Sequence, residues 1–91
     1  MDTNKNKAKQ IDARPFGEIY TEMGVLQKRE LFRQFHLKNI CSTRQSLWNW
    51  ATGKATPAPI VAEAVAKVLG NFIGKSVYVR TLFPNSQRND N

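Results

Sequence analysis

The stretch 42–54 constrains this fold more than any other, because it encodes one short helix with a start, a stop and two unlike faces. Ser42 and Thr43 can each cap a helix N-terminus, since a side-chain oxygen there accepts a bond from an unpaired backbone N–H. Gly53 suits the left-handed position just past a C-terminus. Thr56 and Pro57 then oppose continuation. At about 100° per residue, Ser46, Leu47, Trp50 and Ala51 fall on one side. Arg44, Gln45, Trp48, Asn49 and Thr52 fall on the other. The two tryptophans lie about 200° apart, so one core cannot take both equally. Trp50 is the expected core residue and Trp48 the outer one.

The outer face carries groups able to read DNA. Arginine bonds guanine O6 and N7 together, and Gln or Asn does the same for adenine N6 and N7. Arg44, Gln45 and Asn49 sit toward the helix N-terminus, the end that usually reaches base edges. An ordinary solvated amphipathic helix shows the same pattern, so context has to decide. The net charge of +7 favours an acidic partner without choosing among nucleic acid, membrane and acidic protein. Its distribution is more informative. Residues 25–56 hold six basic side chains against Glu30 alone, so the excess centres on the segment leading into and through this helix. That is the electrostatic footprint of a nucleic-acid binder. Lys54, just past the helix, is placed to reach a phosphate, although a surface lysine with no such role fits equally well.

Other classes are disfavoured. A lone Cys41 forms no intrachain disulfide, which fits a reducing cytoplasm, and it reads as a small packing residue near a turn. His36 has no second ligand at metal spacing and reads as a surface or helix-end residue. No paired acid, nucleophile–base set, Gly-rich phosphate loop or cofactor motif is present, so an enzyme is not expected. No small-molecule site is legible. No apolar run approaches a membrane span, and residues 1–10 lack the apolar core of a secretory signal. That segment, with Lys5, Lys7 and Lys9, reads as a flexible basic arm.

The remaining segments predict an all-α chain of four to five short helices over 11–84, followed by a polar tail at 85–91. Phe16, Ile19, Tyr20 and Met23 form one stripe of a first helix over 12–23, with Asp12 as cap and Gly24 as stop. A second helix over 26–36 faces Leu31, Phe32 and Phe35 inward, with the stem of Lys28 alongside. A connector over 37–42 follows, with Asn39 as its turn residue and Ile40 packed below. A fourth helix over 59–69 carries Ile60, Val61, Ala64, Val65, Val68 and Leu69 toward the core, with Gly70 closing it. Residues 76–83 are ambiguous. Val77, Tyr78 and Val79 favour a strand, whereas Ser76 as cap and Leu82–Phe83 a turn later favour a short helix, which is the reading adopted.

A second helix, a short connector and a polar-faced third helix make a helix-turn-helix arrangement. Here the sequence resembles the lambda repressor/Cro type of bacterial and phage DNA-binding domains over about 29–84. Thr43, Arg44, Gln45, Ser46 and Leu47 look like the start of that family's recognition helix. Trp50, Gly53, Lys54 and Pro57 look like its end and following loop. Leu69 and Gly70 resemble the close of its fourth helix, and Leu82, Phe83 and Pro84 its frequent ending. The resemblance implies that Thr43, Arg44, Gln45, Trp48 and Asn49 face DNA while Leu47 and Trp50 anchor the helix. The chain departs from the family in its bulky Phe32 and Phe35, in a connector without Gly, and in the outward Trp48.

The expected function is sequence-specific binding of double-stranded DNA, as a bacterial, plasmid or phage transcriptional regulator. The expected DNA-facing residues are Thr43, Arg44, Gln45, Trp48, Asn49, Thr52 and Lys54. A homodimer on two half-sites is the expected way for so small a reader to gain affinity, and residues around Tyr78 are the candidate interface. The alternative is a protein-interaction module anchored by its tryptophans. Single-stranded binding by stacking on Trp48 is a weaker third reading.

Overall fold

The structure, a computed structural model, describes residues 10–84. The basic arm read at 1–10, apart from Gln10, and the polar tail at 85–91 lie outside the described residues. The described chain is all-α, with five helices and no strand: α1 (Phe16–Thr21), α2 (Val25–Leu37), α3 (Arg44–Thr52), α4 (Pro59–Ile73) and α5 (Val79–Leu82). Among the described residues no helix is long and apolar enough to cross a membrane.

One core holds the five helices together. Its largest fully buried side chains are Phe16 and Ile19 of α1, Leu31 and Phe35 of α2, Leu47 of α3, and Val65 and Leu69 of α4. α1 packs on α3 and α5, α2 packs on α4, and α4 packs on α5. The apolar stripe of the first helix lies inward as expected, with Phe16, Ile19 and Met23 buried and Tyr20 half-buried. Phe16 stacks on Tyr20 at 5.6 Å and meets Phe83 at 5.4 Å. Cys41 is buried, in keeping with a packing role. Asn39 is the turn residue of the connector, with φ 59°, and it takes the left-handed position that Gly fills most readily. Ile40 N–H then donates to Phe35 O at 2.8 Å.

Three features differ from the sequence reading. α1 begins at Phe16, and Asp12 does not cap it. Pro15 explains this, because a residue preceding proline is pushed to extended backbone and Arg14 cannot be helical. α4 does not close at Gly70 but runs to Ile73, with Gly74 at φ 74° as its cap. Gly70 is needed there for a different reason: a Cβ would lie 2.8 Å from Lys75 O, where the chain folds back over the helix. The inward stripe of α4 is also rotated. Ala62, Val65, Ala66 and Leu69 are buried, whereas Val61, Ala64 and Val68 are half-buried and Ile60 is 84% exposed. α4 is apolar on most of its surface, so periodicity alone does not fix which side meets the core.

Residues 76–83 combine both of their expected tendencies. Val79–Leu82 is the short helix, but Ser76 does not cap it; Tyr78 precedes its first turn. Ser76 instead pairs in parallel with Ile11. Asp12 N–H donates to Ser76 O at 2.9 Å, and Ser76 N–H donates to Gln10 O at 2.8 Å. The segment therefore finds its partner within the monomer, and Leu82 and Phe83 are buried. Tyr78 itself, the residue at the centre of the candidate dimer surface, stays exposed.

This pairing carries a buried carboxylate. Asp12 is 5% exposed and accepts from Arg14 Nε at 2.9 Å and from Arg14 Nη2 at 2.7 Å. Arg14 also grips both carboxylate oxygens of Glu22, at 2.7 and 2.9 Å. The Arg14 hydrogen bonds hold the Asp12 carboxyl below its ordinary range, against burial acting the other way, and those to Glu22 lower that carboxyl as well. A carboxyl with a depressed folded pKa stabilises the fold above its unfolded pKa and loses that contribution as pH falls through the folded one. Stability is thus expected to start falling near about pH 4, where unfolded carboxyls take up protons. Asp12→Asn should lower the melting temperature at neutral pH and flatten the acid limb. Circular-dichroism melts across the acid range measure both, and an acid limb that the substitution leaves unchanged would remove Asp12 from this account.

Candidate nucleic-acid interface

α3 is the element around which a nucleic-acid interface would form. Thr43 is its cap: the side-chain oxygen accepts from Ser46 N–H at 3.1 Å, and Gly53 closes the helix at φ 83°. Leu47 is fully buried, and Trp50 and Ala51 are half-buried beside it. Trp50 meets Phe83 edge-on at 6.3 Å. Ala51 lies against α1 at Gly17, where any side chain would run into the Ala51 carbonyl oxygen. These contacts fix the roll of α3 and so decide which side faces outward.

The outward side collects Gln45, Trp48, Asn49 and Thr52, at i, i+3, i+4 and i+7. Gln45, Trp48 and Thr52 are exposed and Asn49 is half-buried, with Trp48 at 47%, too open for a core residue. Gln45 Nε2–H donates to Asn49 Oδ1 at 3.0 Å, so the two amides stand as a coupled pair along one face. Two other expected residues are differently engaged. The Thr43 oxygen serves as the helix cap, and Thr52 Oγ1–H donates back to Trp48 O at 3.0 Å. Lys54 follows in the closing turn, its N–H donating to Asn49 O at 2.9 Å and its side chain exposed.

Arg44 is set apart from this row. Its guanidinium lies over the Phe32 ring of α2, 5.5 Å from the centroid. It lines a cleft of about 150 Å³ together with Tyr20, Val25, Lys28, Arg29 and Phe32. The Lys28 ammonium lies over the Tyr20 ring at 5.2 Å. The structure therefore joins two basic residues of α2 to the N-terminal end of α3. The sequence reading had placed the stem of Lys28 beside the core and the charges of Lys28 and Arg29 at the surface, without joining either to α3. Their one usable signal was their place in the basic stretch before α3.

The acidic side chain of that stretch, Glu30, is already occupied. It accepts from Arg33 Nε and Nη2 and from Gln34, and these bonds bring its pKa down to about 2. Among the described residues no group of three His, Cys, Asp or Glu side chains is placed to hold a metal ion. Compared with family models, with curated proteins and with solved structures, the chain matches none of them.

Two measurements test how α3 is held. Trp50→Ala should destabilise the fold by about 2–4 kcal/mol, short of the value for a wholly buried Trp, whereas Trp48→Ala should stay within about 0.5 kcal/mol. Chemical denaturation of both variants gives the comparison, and equal losses would overturn the face assignment. Gly17→Ala improves helix propensity by about 1 kcal/mol, yet it should lower the melting temperature, because overpacking against Ala51 costs about 1–3 kcal/mol. A rise on thermal melting would show that α1 and α3 are not in close backbone contact.

Proposed function

We propose that the protein binds double-stranded DNA by sequence, with α2 and α3 as a helix-turn-helix pair and α3 as the helix that enters the major groove. On this reading the domain is lambda repressor-like and the protein is a transcriptional regulator of bacterial, plasmid or phage origin, working in the cytoplasm where its operator lies. The observation that carries the reading is the row of Gln45, Trp48, Asn49 and Thr52 on the exposed side of a helix whose other side is anchored by Leu47, with cations at both ends, Arg44 and Lys54, that meet no carboxylate among the described residues.

The row suits base edges. The bond to Asn49 leaves Gln45 Oε1 and its second Nε2–H without a partner among the described residues, the acceptor–donor pair that matches adenine N6 and N7. The Asn49 amide N–H groups remain for a neighbouring acceptor such as guanine O6 or thymine O4. Trp48 offers an apolar surface to a thymine methyl. Arg44 and Lys54 flank the row across a helix about 13 Å long, close to the roughly 12 Å width of the major groove. Affinity would come mainly from phosphates and sequence preference from the amide pair. Two copies on half-sites about 10 bp apart would add their free energies and so multiply both.

The exposure of Trp48 also supports a second reading, a protein-interaction surface with that indole as its anchor. Selection from random duplex DNA, read by sequencing, separates the two. Enrichment of a motif, above all a palindrome, is expected; no enrichment from a folded protein would transfer the argument to a protein partner. Gln45→Ala should cost about 1–3 kcal/mol on the enriched sequence and relax preference at one base pair.

A further inference from the structure

We propose that the cleft between α2 and the N-terminal end of α3, walled by Lys28, Arg29, Phe32 and Arg44, seats one phosphate group of the DNA backbone. Arg44 then acts as an anchor and not as a reader of a base edge. The inference rests on the DNA-binding reading, and it changes the role that residue type and helix position alone would give Arg44.

Three cations and no carboxylate line the cleft. Among the described residues none of the three has an acidic partner, whereas Arg14 and Arg33 are both held by carboxylates. Like charges gathered in a concave site repel one another until an anion enters. The two aromatic rings hold this arrangement in place. The Arg44 guanidinium lies over the Phe32 ring, 5.5 Å from its centroid, and the Lys28 ammonium over the Tyr20 ring at 5.2 Å. With no carboxylate bonded to it among the described residues, the Arg44 guanidinium keeps its N–H groups available to form a fork around two phosphate oxygens. The rings also limit the conformers that binding has to freeze.

Size narrows the ligand. The cleft measures about 150 Å³, below the roughly 300–1,000 Å³ of sites that enclose a nucleotide or drug-sized molecule, and suited to a single phosphate group. It opens beside Arg44, the first residue of α3, so a phosphate seated there would lie next to the outward row. The unpaired backbone N–H groups of that first turn would add positive potential. Joining α2 to α3 through one phosphate would set the depth and tilt of α3 in the groove, and so the bases that Gln45 and Asn49 meet.

The test compares the salt dependence of binding to a short fluorescent duplex for two double variants. Lys28→Ala/Arg44→Ala empties the cleft. Lys67→Ala/Arg80→Ala removes the same charge from α4 and α5. Losing one phosphate contact lowers the slope of log K against log salt by about 0.9, so the fall in affinity between about 50 and 200 mM salt should shrink three- to fourfold. That change is expected for the cleft variant only, with no loss of preference confined to a single base pair. Arg29→Ala, at an exposed position, should show the same trend more weakly and covers the case in which the double variant fails to fold. Equal slopes in the two double variants, or Arg44→Ala relaxing preference at a guanine, would overturn the proposal. Should the wild-type protein bind no duplex, the DNA reading itself fails. Inorganic phosphate titrated against the Tyr20 and Phe32 ring resonances then decides the cleft: saturable shifts absent from the double variant keep it as a seat for free phosphate, and unmoved resonances overturn it.

Discussion

The backbone of α1 lies directly against the backbone of α3 at Gly17 and Ala51, and the arrangement of the candidate interface depends on that contact. α3 has one fully buried side chain, Leu47, and a single anchor leaves a helix free to roll about its axis. Trp50 against Phe83 supplies a second point, and the α1 crossing supplies a third. With three points fixed, the polar row can face only outward. A glycine that weakens the isolated helix α1 thus contributes to the precision of a different helix. Closely packed interiors transmit such constraints because they have little slack.

Charge is partitioned as strictly as shape. The ion pairs of Arg14 with Asp12 and Glu22 tie the residues before α1 to its end, and Lys75 approaches Asp12 at 4.0 Å. These acids lie in or beside α1 and near the 74–76 turn. Glu30 is the acid that sits within α2, and Arg33 and Gln34 occupy it. The three cations of the α2–α3 cleft are left without carboxylates among the described residues. A uniformly basic protein would attract any polyanion. Free cations placed beside one polar row give an attracted polyanion a preferred orientation.

The parts of this arrangement that were legible in sequence are those encoded locally. Thr43 and Gly53 bound α3 because caps act over three or four residues. Leu31, Phe35, Leu47, Val65 and Leu69 were found by periodicity, and Asn39 by its tolerance of left-handed backbone. What was missed depends on residues distant in the chain. Asp12 looks like a helix cap until Ser76 and Lys75 are placed beside it. Gly70 looks like a helix stop, since the same residue serves both a left-handed cap and a close backbone approach. Ala62 and Ala66 were passed over for Ile60 and Val61, because periodicity alone does not fix which side of a broadly apolar helix meets the core. The cleft was missed for the same reason: Lys28 and Arg44 are sixteen positions apart, and neither helix alone shows that their rings and charges converge.

The groups left over on α3 limit how such a protein could recognise DNA. Two of the seven residues expected to face DNA, Thr43 and Thr52, have hydroxyls bonded within the helix. On the phosphate-seat reading Arg44 is withdrawn as well. Base discrimination then falls to Gln45 and Asn49, with apolar contact from Trp48. Because the two amides are bonded to each other, they form one reading unit. Each good bidentate contact discriminates by about 1–3 kcal/mol, so a single copy would distinguish few sequences. A regulator built this way needs its reading unit held at an exact depth by phosphate contacts, and it needs a second copy to multiply a modest preference. The cleft at the α2–α3 junction serves the first need without any change to the reading face. The second need falls on a surface away from the reading face, and the exposed Tyr78 keeps that region a candidate.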